Sequence, residues 1–201
     1  MIAIIDYDAG NIKSVEKAIS YLGYKSVITR DKDIILNAEK VILPGVGSFG
    51  DAMEKIRSYD LESVINDVVK KGTPFLGICL GLQLLFESSE ECPGIKGLSL
   101  LKGKIIRIPD GEYKKIPQIG WNSLDLKGNG KLFKGITGSP YVYFVHSYYL
   151  KADERDIVKG TCEYNTCIDA TVEKNNIYAC QFHPEKSSDV GIKIIKNFLE
   201  L

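Results

Sequence analysis

The sequence predicts an α/β fold, in which a central, mostly parallel sheet carries helices on both faces and gains antiparallel strands. Strand and helix signals alternate through the first half of the chain, which is typical of parallel sheets. Strand signals follow one another in the second half, which is typical of antiparallel or mixed pairing. The 201 residues can bury one large core and contain no long linker, so we expect residues 1–201 to form a single domain.

The first half consists of short apolar runs, each followed by a helix signal or a turn. The run at residues 2–5 is predicted to be a buried strand. Asn11 is expected to cap the next helix, whose apolar residues recur at helical spacing until Gly23 ends it. Further strands are predicted at residues 27–28, 41–43 and 75–78, and further helices at 61–69 and 80–86.

The second half is dominated by strand-like segments that turn residues separate. Strands are predicted at residues 104–108, 120–126, 141–145, 157–164, 168–173 and 177–182. An amphipathic helix that includes residues 194–199 closes the chain. We therefore expect antiparallel or mixed sheet to be added to the parallel core.

The composition excludes several functional classes. Lys and Arg number 26, as do Asp and Glu, so the net charge is zero, which argues against nucleic acid or an anionic membrane as the main partner. The apolar stretch at residues 74–82 is too short to span a bilayer, and the N-terminus lacks the basic region of a signal peptide. The five cysteines form no C-x-x-C pair. They therefore favour a reducing cytoplasm over disulfides or a zinc site.

One cysteine lies in the setting of a nucleophile. The chain reads Gly77-Ile78-Cys79-Leu80-Gly81 where a buried strand turns into a helix, which is the pattern of a nucleophile elbow. The helix N-terminus favours a thiolate at Cys79, and the backbone N–H of Leu80 would point toward a developing oxyanion. A buried structural cysteine is the alternative, and we assign it to the other four cysteines, which lack this setting.

A second glycine-rich turn follows the strand at residues 41–43. It reads Pro44-Gly45-Val46-Gly47, and its glycines would allow the N–H of Val46 to rotate toward a neighbouring site. Val46 would then be a second oxyanion donor beside Leu80. The alternative is an ordinary turn. A phosphate loop is excluded because the Lys-Ser/Thr pair of such loops is missing.

Only two histidines can supply an imidazole. His183 and Glu185 flank Pro184 at the end of a predicted strand, and residues two apart in an extended segment lie on the same side. Glu185 could therefore accept the imidazole N–H of His183 and stabilise the imidazolium. His146 has no acidic residue within several positions, so we favour His183 as the base over His146.

These motifs resemble those of the class I, triad-type glutamine amidotransferases, from the first strand to the last helix. The matching segments are Asp6-Tyr7, Gly10-Asn11, residues 43–49, the Cys79 elbow with Gln83, Gly120-Trp121-Asn122, residues 143–149 and residues 181–187. The resemblance implies the flavodoxin-like fold of that family. One departure is Gln118, which stands where the family usually has a histidine after a proline.

The resemblance also implies a mechanism without metal or organic cofactor. Cys79 would attack the carboxamide of glutamine, His183 would transfer protons, and Glu185 would orient His183. Val46 and Leu80 would hold the oxyanion, with Leu80 as the only donor at rest and a partner switching the activity on. The positions that match those holding the glutamine head group are Gly47, Gln83, Glu91, Ser147 and Tyr148.

Within the family, the resemblance is to the glutaminases of histidine biosynthesis. These pass ammonia to a barrel-shaped cyclase partner in a heterodimer, which makes imidazole glycerol phosphate and aminoimidazole carboxamide ribotide. Asn11, Trp121 and Lys186 are predicted to lie at that interface. Three alternatives remain open: the glutaminase of anthranilate, GMP or pyridoxal phosphate synthesis, a non-catalytic assembly subunit, and a free-standing thiol hydrolase.

Overall fold

A computed structural model describes residues 1–112, 114–128 and 130–201 of the chain. The first half alternates strands and helices as predicted. Its elements are β1 (Ile2–Ile5), α1 (Ile12–Tyr21), β2 (Ser26–Thr29), α2 (Lys32–Leu36), β3 (Lys40–Leu43), α3 (Phe49–Ser58), α4 (Leu61–Lys70), β4 (Phe75–Ile78) and α5 (Leu80–Leu84).

The second half is mainly strands, and a single helix ends it. Its elements are β5 (Ser88–Ser89), β6 (Gly103–Arg107), β7 (Gln118–Ser123), β8 (Asp125–Leu126), β9 (Tyr141–His146), β10 (Tyr148–Ala152), β11 (Val158–Glu163), β12 (Cys167–Lys174), β13 (Ile177–Cys180) and α6 (Ser188–Leu199). Short 3₁₀ turns lie at Lys131–Phe133, Arg155–Ile157 and Pro184–Lys186.

The main sheet is mixed, with a parallel core. Strands β2, β1, β3, β4 and β13 are neighbours in that order, and all four pairs are parallel. The sheet continues through β12, β10 and β6 by antiparallel pairing, and β5 adds in parallel at the edge. β11 pairs with β12 and β8, whereas β7 and β9 form a separate two-stranded sheet. The predicted fold class is confirmed.

Helices cover both faces of the parallel strands, which explains their unbroken apolar runs. Ile2 and Ile4 of β1 pack in one core cluster with α1 and α6. Ala3 and Ile5 point the other way and join a cluster that contains residues of α3, α4 and α5. Both faces of β1 are therefore buried. No helix among the described residues has the length and apolar character needed to cross a membrane.

The structure adds elements that we did not predict. Helix α2 spans five residues, too few for a clear periodic signal, and Asp31 caps it by accepting a hydrogen bond from the N–H of Ile34. Helix α3 begins after Ser48, whose hydroxyl accepts from the N–H of Asp51. Strand β10 also went unpredicted. The strand predicted at residues 120–126 divides into β7 and β8, which belong to different sheets.

Asn11 occupies the N-cap position of α1 as predicted, but its side chain makes no capping hydrogen bond. Its backbone is left-handed, with φ 66°. The side chain bonds Glu185 instead, 174 positions further along the chain.

Candidate active site

Cys79 lies at the tight junction of β4 and α5, in a strained conformation with φ 54° and ψ −108°. The flanking glycines are required by space. A Cβ on Gly77 would lie 2.7 Å from the carbonyl oxygen of Gly81, and a Cβ on Gly81 would lie 1.8 Å from that of Leu43. Backbone atoms on both sides therefore hold the elbow in a geometry that an isolated chain would not adopt.

The elbow opens into a cleft of about 280 Å³. Eleven residues line it: Val46, Gly47, Cys79, Leu80, Gln83, Glu91, Pro117, Val145, His146, Ser147 and Tyr148. All five residues predicted to hold a glutamine head group are among them, as are both predicted oxyanion residues. A larger hollow of about 830 Å³ lies beside residues 126–138 and the C-terminus and contains none of these residues.

His183 and Glu185 are paired beside Cys79, in the turn that precedes α6. His183 Nδ1 lies 2.7 Å from Glu185 Oε1, and both side chains are buried. Asn11 Nδ2 donates to the same carboxylate oxygen at 2.6 Å. Because Nδ1–H donates to the carboxylate, the other ring nitrogen, Nε2, is the one left to exchange protons.

The charges of this group depend on one another. Burial acts to lower the pKa of His183, but the neighbouring Cys79 and Glu185 side chains outweigh it and raise that pKa to about 10. The structure places no hydrogen bond between His183 and Cys79, and His183 Nε2 is buried with no partner among the described residues. A proton held by His183 thus complements a thiolate at Cys79.

The two predicted oxyanion donors are not available in this conformation. The N–H of Leu80 donates to the carbonyl of Gly45 at 3.3 Å. A trans peptide directs its C=O and N–H in opposite directions, so the N–H of Val46 points away from Leu80. We expected the backbone N–H of Leu80 to be free at rest, whereas in the structure it is hydrogen-bonded to the carbonyl of Gly45.

Tyr7 contacts the turn at Pro44-Gly45-Val46-Gly47 from the protein interior. Its buried hydroxyl donates to the carbonyl of Pro44 at 2.9 Å. A Cβ on Gly45 would lie 2.1 Å from the Tyr7 oxygen, so glycine is the residue that fits there. Burial, together with the charge of Cys79, raises the pKa of Tyr7 well above its ordinary value, so its hydroxyl stays protonated and donates.

His146 is buried in a way that removes it as a base. Burial lowers its pKa to about 4, and the charge of His183 adds to the effect although a bond to Tyr148 opposes it. Its Nδ1 lies 2.8 Å from the Tyr148 carbonyl, which can only accept, so the neutral ring carries its proton there. Nε2 then needs a donor, but Gln118 faces it with Oε1 at 3.1 Å while Gln118 Nε2 is buried without a partner among the described residues. Turning the Gln118 amide over gives both nitrogens a partner, so we assign its N–H to His146 Nε2.

The structure brings together residues that the sequence reasoning had assigned elsewhere or missed. Asn11, predicted at a partner interface, is half-buried and bonds the Glu185 carboxylate, whereas Trp121 and Lys186 are exposed. Gln181 went unpredicted, and its Nε2 lies 3.8 Å from Cys79 Sγ. The signal was present, because Gln181 is two positions before His183 and the same alternation places both on one side.

Sequence comparison identifies the family. The model of the class-I glutamine amidotransferases matches residues 3–201. The chain belongs to this family. The resemblance carried by the elbow, the His-Pro-Glu segment and the glycine-rich turn is therefore confirmed.

Named relatives match this amidotransferase from end to end. It is 49% identical to the imidazole glycerol phosphate synthase subunit HisH of Caldanaerobacter subterraneus subsp. tengcongensis, which covers 100% of this chain and 98% of the relative. It is also 49% identical to the subunit HisH of Methanocaldococcus jannaschii, with 100% of both chains covered.

Solved structures share the fold at low sequence identity. A glutamine amidotransferase crystal structure superposes with a TM-score of 0.78 at 19% identity and covers 100% of this chain and 98% of the other. PurLQS from Thermotoga maritima gives a TM-score of 0.74 at 21% identity, covering 99% of this chain and 97% of that one. At these identities the likeness shows the fold alone.

Proposed function

We propose that this chain is the glutaminase subunit of an imidazole glycerol phosphate synthase, acting as one unit of residues 1–201 in a reducing cytoplasm. The full-length identity of 49% to relatives of that name carries the proposal. The site supports it, because a strained cysteine and a buried His–Glu pair flank one cleft.

The reaction is hydrolysis of the side-chain amide of glutamine. Cys79 Sγ attacks the carboxamide carbon, and the resulting oxyanion collapses as His183 donates a proton to the departing ammonia. A glutamyl thioester remains. Water then gives a proton to His183 and attacks the thioester carbon, which releases glutamate and the thiolate. Glu185 holds the imidazole and stabilises its charge throughout.

The cleft offers matched groups for the substrate. Gln83 Nε2 is occupied by the Tyr148 carbonyl and by Gln181, so its Oε1 is left to accept from glutamine. Glu91 uses Oε2 to accept the N–H of Phe49 at 2.8 Å, which leaves Oε1 for the ammonium group of glutamine. Gly47, Ser147 and Tyr148 complete the wall.

An exposed apolar surface beside the cleft fits a protein partner. Ile119, Trp121 and Tyr141 are 63%, 53% and 60% exposed on the β7–β9 sheet. Surfaces with such exposed aromatic residues mark interaction sites. Tyr143 on the same sheet accepts the backbone N–H of His183 with its carbonyl, so a partner docked here contacts an element bonded to the triad. We infer that this partner is the cyclase, which receives ammonia directly.

The deciding experiment is the Cys79→Ala variant in complex with the cyclase. Synthesis of imidazole glycerol phosphate from glutamine should be abolished, whereas synthesis from ammonium salts should continue at the wild-type rate, because Cys79 acts only in making ammonia. Cys167→Ala, at an exposed cysteine on β12, is the matched control and should retain both activities. Loss of both activities in a folded Cys79→Ala complex would contradict the proposal. So would a wild-type chain that supports glutamine-dependent synthesis only when it is paired with an anthranilate, GMP or pyridoxal phosphate synthase.

A further inference from the structure

We propose that Gln181 is a further catalytic residue, whose side-chain N–H holds the sulfur of Cys79 and stabilises it as a thiolate. The inference deepens the proposed function, since it concerns the nucleophile of that reaction. Gln181 is fully buried, at the end of β13, and its Nε2 lies 3.8 Å from Cys79 Sγ.

The hydrogen-bond network determines which way the Gln181 amide faces. The Tyr148 carbonyl can only accept, so Gln83 must turn Nε2 toward it, at 3.0 Å. The same Gln83 nitrogen then donates to Gln181 Oε1 at 3.2 Å. With its oxygen engaged by Gln83, Gln181 directs its nitrogen at the sulfur. If the Gln181 amide were reversed, its nitrogen would face Gln83 Nε2, and its oxygen would face the Cys79 sulfur, which is also an acceptor.

Beside the imidazole of His183, which favours a thiolate, the sulfur has one contact that disfavours a negative charge. The Val145 carbonyl oxygen lies 4.0 Å from Cys79 Sγ, where a thiol can donate to it but a thiolate is repelled. Nearby Cys180 shows the same tendency, because burial, and then the charges of Glu185 and Cys79, raise its pKa well above the ordinary value. Among the described residues, Gln181 is the one side chain with an N–H in hydrogen-bonding geometry to Cys79 Sγ.

The far end of the network keeps Gln83 and Gln181 in place. His146 donates to the Tyr148 carbonyl that Gln83 also uses, and Gln118 holds the other side of His146. Gln118, His146 and Gln83 are all buried. Rotating the Gln181 amide would leave buried polar groups without partners, which is costly, so its donor is held ready for the thiolate.

Two variants at Gln181 test the inference. Gln181→Met keeps the length of the side chain and removes its hydrogen bonds, whereas Gln181→Glu keeps an acceptor for Gln83 but places a carboxylate oxygen against the sulfur. A hydrogen bond to a charged group predicts that kcat for glutamine, measured in the cyclase complex, falls about 10- to 100-fold in Gln181→Met and further in Gln181→Glu. KM should change by less than about threefold, because Gln181 does not line the substrate cleft.

A second readout does not depend on glutaminase activity. Alkylation of Cys79 by iodoacetamide, followed across pH by mass spectrometry of the Cys79 peptide, reports the thiolate directly. The midpoint of this profile should move up by about one pH unit or more in both variants. Failure of the proposed function would leave this result intact.

The control is Asn197→Leu, which removes a buried amide of the same chemistry. Asn197 donates to the carbonyls of Leu132 and Lys134, away from the cleft, so its loss should lower stability and leave the alkylation profile unchanged. An unmoved midpoint in a folded Gln181→Met protein would overturn the inference, as would a shift in Gln181→Glu alone or a rise in KM without a fall in kcat.

Discussion

Glu185 is the residue at which the triad and the start of α1 meet. Its Oε1 accepts from His183 Nδ1 at 2.7 Å and from Asn11 Nδ2 at 2.6 Å, while Oε2 is buried with no partner among the described residues. Because Asn11 and His183 share Oε1, the bond from Asn11 helps to fix the orientation of the carboxylate that His183 contacts. Asn11 thus acts as a positioning residue of the pair.

This arrangement predicts that Glu185→Gln is milder than His183→Ala. A glutamine can keep its oxygen toward the two donors, which preserves the imidazole tautomer and removes only the charge. We expect a loss of about 10- to 100-fold in kcat for Glu185→Gln, and about 10³-fold or more for His183→Ala, which removes the proton carrier itself. Steady-state glutaminase kinetics in the cyclase complex compare the two. Equal losses, or a larger loss for Glu185→Gln, would contradict the assigned roles.

Two turns between secondary-structure elements shape the site: the Cys79 elbow and the turn after β3. Each depends on a glycine, for a different reason. At the Cys79 elbow, Gly81 lies against the backbone of β3, which cannot move aside. In the turn after β3, Gly47 has φ +105° and open space around it, so it supplies conformational freedom. The elbow is therefore rigid, whereas the oxyanion turn can change its orientation.

The rigid elbow predicts a large stability loss for Gly81→Ala. The added Cβ would lie 1.8 Å from the Leu43 carbonyl, so we expect the free energy of unfolding in urea to fall by about 3 kcal/mol. Gly23→Ala is the control, since a Cβ on Gly23 would meet nothing within 4 Å and only the positive φ of +82° opposes the substitution. Strain alone should cost it about 1 kcal/mol. Similar losses for the two variants would show that the close approach at Gly81 does not matter.

The mobile turn predicts that the isolated chain is a poor glutaminase. The Gly45 carbonyl occupies the N–H of Leu80, and the N–H of Val46 points elsewhere. Missing oxyanion donors cost about 10²–10³ in rate each, so the free chain should turn over at least about 10²-fold more slowly than the liganded complex. Glutaminase turnover of the chain alone, with cyclase, and with cyclase plus its ligand measures the effect. A free chain as fast as the liganded complex would exclude the switch.

At the scale of the whole molecule, one buried interior holds two histidines in opposite charge states. The neighbouring Cys79 and Glu185 side chains stabilise the protonated form of His183, whereas burial keeps His146 neutral. Because the pKa of His146 is lower in the folded chain, the unfolded chain binds a proton at His146 at pH values where the folded chain does not. Stability from neutral His146 is therefore complete above about pH 6.5 and declines as pH falls toward about 4.

The resulting prediction is an acid-dependent loss of stability. The free energy of unfolding should fall by about 1.5 kcal/mol between pH 6.5 and pH 5 through His146 alone. His146→Gln should flatten this slope, although its stability at neutral pH also changes. His183→Gln is the control and should keep most of the slope, because folded His183 is protonated throughout this range and the unfolded imidazole is at least half protonated. Urea unfolding at four pH values tests this, and an unchanged slope in His146→Gln would refute it.

Local patterns were enough to predict the layered α/β fold, the Cys79 elbow, and His183 beside Glu185. Each depends on neighbours along the chain: apolar runs buried on both faces, glycines that permit a tight turn, and side chains two positions apart. Helix α2 was missed because its five residues are too few for a periodic signal. Helix α3 was missed although Phe49, Ala52, Met53 and Ile56 recur at helical spacing, so its signal was present in the sequence.

Only the tertiary structure decided which polar groups meet across the cleft. Asn11 and Glu185 are 174 positions apart, and Cys79 and Gln181 are 102 apart. Asn11 stands at the N-cap position of α1, where asparagine is common, but its side chain donates to Glu185 because the buried carboxylate requires a donor. The Gly45 carbonyl likewise reaches Leu80 only because β3 and β4 are adjacent in the sheet. Chain order carries local geometry, whereas packing selects the distant partners that buried polar groups require.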